Sequence, residues 1–151
     1  MDAIPIRLSE LMVIEINVRP LVEVGPDRRY VLFDDGFFAG RDGLRGTLLP
    51  GGIDWQRIRA DGTIEIDARY ALRTDDDDLI EVRSTGVRRV PDAVAVRIAA
   101  GERVGADEYY FRTHITLATS SARWERLNGI IAISTGTREL DTVRIHVHEV
   151  L

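Results

Sequence analysis

Short segments in which apolar and polar side chains strictly alternate recur along this chain, and turns rich in glycine and aspartate separate them. Successive side chains of a β-strand point to opposite faces of a sheet, so strict alternation predicts strands that are buried on one side. Asp61-Gly62 is a typical hairpin turn, and the clearest strand, residues 63–73, follows it directly. Its apolar face comprises Ile64, Ile66, Ala68, Tyr70 and Leu72. The pattern predicts an all-β protein.

The same alternation predicts further strands, at residues 11–24, 29–33, 79–85, 109–117, 129–134 and 142–150. Pro20 is expected to interrupt the first of them, because proline cannot donate a hydrogen bond to a neighbouring strand. Turns are expected at residues 34–36 and 135–137, and the glycine-rich segment 37–47 is expected to contain bulges and bends. Residues 91–99 fit either a short strand or a helical turn that plugs one side.

Evenly spaced short strands joined by hairpins, with glycine at the corners, are typical of a closed or nearly closed antiparallel barrel. We therefore expect residues 1–151 to form one domain, a β-barrel of about eight strands. Closure would also remove unpaired strand edges, which the sequence does little to protect. A two-sheet sandwich is the alternative architecture. A barrel of this strand number has room inside for one small ligand.

Composition excludes several classes of function. The net charge of −5 argues against nucleic acid or an anionic membrane surface as the main partner. The chain has no cysteine and no lysine, which excludes thiolate nucleophiles, Schiff-base chemistry and a glycine–lysine phosphate loop. No cofactor motif is present, so no cofactor is predicted. No apolar run could span a bilayer and the N-terminal segment does not resemble a secretory signal, so a cytoplasmic location is expected.

Five blocks carry a resemblance to a known family. They are GGIDW at 51–55, RADGTIEIDARYALRTDD at 59–76, IEVRSTGVRR at 80–89, YYFRT at 109–113 and LNGIIAISTGTRE at 127–139. In this order they resemble the family called domain of unknown function 3237, or UPF0311, over residues 12–150. The resemblance implies a small antiparallel barrel of the calycin or allene-oxide-cyclase kind, with pocket residues but no settled activity. Relatives carry Tyr-x-Trp-Leu-Asn where this chain has Trp124-Glu125-Arg126-Leu127-Asn128, which implies a different ligand preference if this segment lines the pocket mouth.

Asp54 is the first candidate for chemistry. It lies between the glycine turn at residues 51–52 and Trp55. A carboxylate enclosed against an indole is desolvated, which raises its pKa and suits it to proton transfer near neutral pH. Arg69 and Arg112, on the polar faces of their strands, could each hold a substrate carboxylate, phenolate or enolate through two hydrogen bonds.

Tyr110 and Asn128 complete this set, because a phenol can donate to a developing oxyanion and an amide can orient a carbonyl. The same residues also fit a buried ion-pair network that maintains the register of the barrel, with Asp54 capping a turn. The charged strand faces fit a solvated outer surface as well. These interpretations differ in whether Arg69 and Arg112 point into the barrel.

Histidine and tryptophan supply three more candidate contacts for a substrate. His114 lies on the polar face of its strand, while His146 and His148 lie two residues apart on the last strand. Three imidazoles could bind a metal, but this spacing is common by chance and no metal is predicted. Trp55 and Trp124 could stack on a ligand, although core packing explains both more simply.

The predicted function is a cofactor-independent enzyme that transfers protons on a small organic molecule, anionic or aromatic, in the manner of an isomerase, cyclase, lyase or lactone-processing enzyme. Asp54 would act as the acid or base, and Arg112 with Tyr110 would stabilise negative charge. A non-catalytic ligand-binding barrel is the alternative, since it needs the same cavity without a tuned carboxylate. A third interpretation is a structural module with a filled interior. Self-association into a homo-oligomer is compatible with each of them.

Overall fold

The computed structural model describes the whole chain, residues 1–151, and confirms the predicted all-β class. The strands are β1 (Leu8–Val18), β2 (Val22–Gly25), β3 (Arg28–Gly40), β4 (Arg45–Leu48), β5 (Ile53–Ile58), β6 (Ile64–Thr74), β7 (Leu79–Arg89), β8 (Tyr110–Ala118), β9 (Ala132–Arg138) and β10 (Thr142–Val150). One helix, α1, spans Asp92–Ala99, and two 3-10 turns span Arg41–Gly43 and Glu125–Gly129. As predicted, the first extended segment breaks at Pro20.

The strands close into an antiparallel barrel with eight positions around the ring. β1 pairs with β10 on one side and with β3 on the other, so the ring has no open seam. β4 and β5 share one position, because each pairs with part of β3 and part of β6. The remaining neighbours follow chain order from β6 to β10, and the short β2 extends from β3 outside the ring.

Residues 34–36, predicted to be a turn, instead lie within β3. The pairing with β1 shifts from Ile16↔Gly36 to Val18↔Phe33, so a bulge takes up the additional residues. Gly36 is needed at this bulge because a β-carbon there would clash with the backbone of β1. Here glycine marks a close approach of two strands and not a reversal of the chain.

The segment at residues 135–137 was also predicted to be a turn, and it also continues a strand. β9 extends through Gly136 to Arg138. A β-carbon at position 136 would lie 2.8 Å from the ring of Phe111, so the absent side chain makes space for this ring. Similarly, β7 continues past its predicted end at Thr85, through Gly86 to residue 89. Both strands therefore carry an additional inward-facing residue beyond their glycine.

Of the two interpretations of residues 91–99, the helical one is correct. Helix α1 follows Pro91 and places Val94 in the hydrophobic core, while Ala95 and Ile98 line a cavity in the barrel. The structure contains no helix with the length and apolarity that crossing a bilayer would require.

One half of the barrel interior is filled by large apolar side chains that are almost completely buried. These include Met12, Ile14, Phe38, Leu44, Leu72, Ile80, Val82, Ile115, Leu127 and Val147. None of them lines the cavity in the other half. The filled half supplies the core of the domain, and it leaves the opposite half free to enclose a site.

Candidate active site

The cavity has a volume of about 510 Å³ and lies where β1 ends and β3 begins. Of the 27 residues that line it, 18 are hydrophobic. Its size is within the range of small-molecule sites and exceeds the space of a few water molecules many times over. The predicted alternative of a completely filled barrel is therefore wrong.

Asp54 projects into this cavity from β5. Its neighbours Ile53 and Trp55 point the other way, so the alternation of the strand places the carboxylate inside, where it is 7% exposed. Oδ2 accepts a hydrogen bond of 2.7 Å from Nε2 of Gln56, and Oδ1 accepts one of 3.1 Å from the backbone N–H of Asp67. Burial raises the pKa of Asp54 from 3.8 to about 6, although these hydrogen bonds oppose the rise.

Arg29 is linked to the Asp54 carboxylate through the side chain of Gln56. Its Nε donates a hydrogen bond of 2.7 Å to Oε1 of Gln56, whose amide nitrogen donates to Asp54. Burial lowers the pKa of Arg29, and the charge of Asp54 opposes that change. The amide thus has one defined orientation, with its oxygen toward the guanidinium and its nitrogen toward the carboxylate.

Tyr70 contributes a phenol to the same cavity from β6. Its hydroxyl is buried and has no hydrogen-bond partner, and both burial and the nearby charge of Asp54 raise its pKa. The ring packs edge-on against Phe33, with 5.4 Å between the ring centroids. Gly52 makes this packing possible, because a β-carbon there would lie 2.6 Å from the β-carbon of Tyr70. The hydroxyl is therefore held in place as an unused donor.

Arg88 and Arg138 bring two more guanidinium groups to the cavity, from β7 and β9. Nε of Arg88 and Nη1 of Arg138 are buried and have no hydrogen-bond partner. Burial lowers the pKa of Arg88 to about 10, and the positive charges of Arg138 and Arg29 add to this effect. Burial also lowers the pKa of Arg138. Unpartnered buried donors of this kind are rare in folded proteins.

A chain of buried hydroxyls supports the wall between these two strands. Ser84 donates to Oγ1 of Thr113 at 2.8 Å, and that oxygen lies 2.6 Å from Oγ of Ser134. The three side chains come from β7, β8 and β9, so they connect the strands that carry the two arginines. They satisfy one another, and only Ser84 also reaches the cavity.

The predicted convergence of Arg69 and Arg112 with Asp54 in one cavity is wrong, because both side chains point outward. Arg69 lies 3.8 Å from Glu81 in an exposed ion pair. Arg112 packs on the ring of Tyr110, with 5.0 Å from its guanidinium carbon to the ring centroid. The polar face of an antiparallel strand commonly faces solvent, and Arg69 and Arg112 lie on such faces of β6 and β8.

Tyr110 and His114 lie on the same outer face as Arg112, and Tyr110 is 41% exposed. Their strand alternates with the buried Phe111 and Thr113, so neither side chain reaches the cavity. His114 is exposed, and no group of three or more histidine and acidic side chains is arranged to hold a metal ion.

The remaining predicted contacts also lie outside this cavity. Oδ1 of Asn128 accepts a hydrogen bond of 2.8 Å from the backbone N–H of Thr119, and Nδ2 donates one of 2.9 Å to its C=O, so Asn128 joins the turn at Glu125–Gly129 to the end of β8. Trp55 is 48% exposed and packs on Tyr30, with 5.0 Å between the ring centroids. Trp124 is buried beside a smaller cavity of about 230 Å³ at the other end of the barrel.

Five polar strand residues of the cavity were not predicted, and they share one signal. Each of these side chains lies on the inward face of its strand, two residues from another inward-facing position. The residues are Arg29, Gln56, Ser84, Arg88 and Arg138. A charged residue at such a position must either find a partner inside or line a cavity. The arginines on which the prediction depended lie on the opposite, outward faces of their strands and point to solvent.

Comparisons with known proteins place the chain in a family. An enzyme from Penicillium herquei has a similar fold, with a TM-score of 0.70 and 21% identity, over 100% of this chain and 98% of that one. The crystal structure of a conserved protein of unknown function from Rhodopseudomonas palustris is more similar, with a TM-score of 0.92 and 29% identity, over 99% of this chain and 100% of that one.

In sequence, a UPF0311 protein of Clostridium acetobutylicum is 33% identical over 147 residues, which cover 94% of this chain and 92% of that protein. The profile of the family described as "Protein of unknown function (DUF3237)" matches residues 6–150. The predicted resemblance is thus confirmed over nearly the whole length. The chain belongs to the DUF3237 family, and it is also a relative of the UPF0311 proteins.

Proposed function

We propose that this protein is an enzyme that transfers a proton on a small organic molecule bound in the barrel cavity. The observation that carries the proposal is the position of Asp54, a buried carboxylate with a pKa of about 6, in the same cavity as the unpartnered hydroxyl of Tyr70. An acid–base group works best when its pKa lies near the operating pH. Isomerisation, cyclisation, elimination and lactone chemistry all need such a group.

Asp54 acts as the base in this proposal. At neutral pH most of the carboxylate is ionised, because its pKa lies about one unit lower. Each carboxylate oxygen accepts one hydrogen bond, from Gln56 or from the backbone of Asp67, and each retains a lone pair for a substrate proton. The apolar walls exclude water, which preserves the basicity of the group.

Tyr70 and Arg88 replace Tyr110 and Arg112 as the groups that stabilise negative charge. When a C–H bond beside a carbonyl breaks, the proton moves to Asp54 and the electron pair moves to the carbonyl oxygen. The Tyr70 hydroxyl stays protonated, because its pKa is raised, and can donate to this oxygen. The buried positive charge of Arg88, in the same cavity, also favours this negative charge. Return of the proton to another atom completes the isomerisation.

A non-catalytic binding barrel is the second candidate, and the apolar character of the cavity favours it. Most of the lining is aliphatic or aromatic, as in carriers that enclose a ligand without changing it. The likeness to an enzyme from Penicillium herquei supports catalysis only at the level of the fold, since the identity is 21%. The two candidates differ in whether a bound molecule exchanges protons.

The test is proton exchange in D2O with a panel of ketones, β-keto acids and lactones, followed by NMR and mass spectrometry. We expect the wild-type protein to introduce deuterium into at least one compound, or to convert it, and Asp54→Asn to do so at least about 100-fold more slowly. Asp34→Asn is the matched control, because its side chain pairs with Arg19 and does not line the cavity. Equal rates for wild type and Asp54→Asn would refute the proposal. Compounds that bind but neither exchange nor react would favour the carrier.

A further inference from the structure

We propose that the molecule held in the cavity carries a carboxylate group, which Arg88 and Arg138 bind, while its apolar body lies against the aliphatic and aromatic wall. This inference rests on the proposed function, because it names the class of substrate for the same site.

The first argument is the state of the two guanidinium groups. Arg88 and Arg138 take part in none of the ion pairs of the protein, although most other arginines do. Each also has a buried N–H without a hydrogen-bond partner. Burying a charged donor without a partner is strongly unfavourable. A ligand with accepting oxygens at this position would satisfy both groups.

The second argument is the charge balance of the cavity. Its lining contains three arginines, Arg29, Arg88 and Arg138, against one buried carboxylate, Asp54. Two other acidic residues, Asp92 and Glu139, lie exposed at the rim, and Glu139 is 3.4 Å from Arg103 in an ion pair. The buried part of the cavity therefore has more positive than negative charge, which favours an anionic ligand.

Asp54 does not neutralise Arg88 by direct contact. Its two oxygens accept their hydrogen bonds from Gln56 and from the backbone of Asp67. Although its charge is close enough to influence the pKa of Arg88, the Nε–H of Arg88 remains free. The anion site and the base are thus two separate parts of one cavity.

The third argument concerns shape. Arg88 lies over the ring of Phe111, with 5.6 Å from its guanidinium carbon to the centroid, and this contact restricts the orientation of the guanidinium. Gly136 leaves the space on β9 that this ring occupies, two residues before Arg138. Donors from two strands, on either side of β8, suit an acceptor with two oxygens, and a carboxylate is the smallest such group. The hydrophobic majority of the lining suits an aromatic or branched body.

Matched pairs of probes test this inference by isothermal titration calorimetry. We would use 3-phenylpropanoate with 3-phenylpropanamide, and 2-naphthoate with 2-naphthamide, since the members of each pair differ in charge but hardly in shape. We expect wild type to bind at least one carboxylate about ten-fold or more tightly than its amide. Arg88→Gln and Arg138→Gln should each lose most of this preference, whereas Arg83→Gln, on the outer face of β7, should retain it.

Three outcomes would overturn the inference. They are equal binding of acid and amide, full preference in both Arg88→Gln and Arg138→Gln, and no binding of either carboxylate up to about 1 mM. Thermal unfolding of each variant checks that it is folded, and Arg88→Met, which also removes the cation and should lose the preference in the same way, replaces Arg88→Gln if that variant is unstable. Asp54→Asn should still bind the carboxylate. If Asp54→Asn loses turnover but still binds the carboxylate, catalysis and carboxylate binding depend on different residues. Either proposal can then fail while the other is still measured.

Discussion

Nε2 of Gln56 donates a hydrogen bond of 2.7 Å to Oδ2 of Asp54, two residues away on the same inward face of β5. The other end of the amide accepts from Nε of Arg29, also at 2.7 Å. A neutral residue therefore separates a half-buried cation from a buried anion and hydrogen-bonds to both. This arrangement leaves the carboxylate basic enough to take a proton, because a direct ion pair would have lowered its pKa much further.

Replacing Gln56 by Leu should raise the pKa of Asp54 above its value of about 6. The hydrogen bond from Gln56 is the largest influence that lowers this pKa, and leucine cannot donate it. We expect the acidic limb of the pH–rate profile to move to higher pH, and the unfolding free energy to fall by about 1–3 kcal/mol because buried polar atoms lose partners. Arg57→Leu, on the outer face of the same strand, is the control. If the acidic limb of the pH–rate profile of Gln56→Leu lies at the same pH as in wild type, Gln56 does not influence Asp54 in the way proposed.

Asp54 should make the fold less stable as the pH rises from about 4 to about 6. Its pKa is higher in the folded protein than its ordinary value of 3.8, so the folded state holds more protons in this range and loses stability as they leave. The effect is about 3 kcal/mol at most. Urea unfolding of wild type and Asp54→Asn at pH 4 and pH 7 measures it. We expect the stability at pH 7 relative to pH 4 to be higher in Asp54→Asn than in wild type, because the destabilising ionisation of Asp54 is absent, and the same change in both proteins would contradict the assignment.

Arg88→Met should stabilise the protein in the absence of ligand. The substitution removes a buried guanidinium whose charged form the fold disfavours, as its lowered pKa indicates, and it puts an apolar chain of similar length against Phe111. The unfolding free energy should rise by about 1–3 kcal/mol. Arg83→Met, which removes an exposed ion pair on the same strand, should change it by less than about 1 kcal/mol. A clear loss of stability in Arg88→Met would mean that the guanidinium has a structural partner.

Gly52→Ala should destabilise the protein by about 1–3 kcal/mol, because the new methyl group would overlap Tyr70 and Phe33. The displaced phenol should also slow any turnover that depends on it. Gly129→Ala is the matched control, since no atom lies within 4 Å of the position of its β-carbon. Unfolding in urea compares the two variants. Equal stability of Gly52→Ala and wild type would show that Tyr70 and Phe33 can move to accommodate the methyl group without a loss of stability.

Alternation along the strands was sufficient to predict the class of fold and the inward faces of the longest strands. Ile66, Ala68, Tyr70 and Leu72 are buried as the pattern required, and the strand at Thr142–Val150 was predicted with its observed bounds. Asp54 was placed correctly in the cavity, because burial beside a glycine turn follows from its neighbours in the chain. These are local properties, set by the two-residue period of a strand.

The ends of the strands were less predictable, and the arginine site was missed for that reason. Gly86 and Gly136 suggested breaks, so the residues beyond them were not assigned an inward face. In the structure each glycine allows a close contact with β8, and the strand continues to Arg88 or Arg138. Whether a glycine ends a strand or admits a neighbour depends on what packs against it, which only the assembled sheet defines.

The amino-acid sequence by itself determined an all-β chain with one apolar face on each strand, and it determined that Asp54 would be enclosed. Only the tertiary structure decided which charges share the cavity with it. Closure of the barrel brings Arg29, Arg88 and Arg138 together from three strands and turns Arg69 and Arg112 to solvent. The physical reason is that facing direction is a property of one strand, whereas convergence depends on the register between strands that are far apart in the chain.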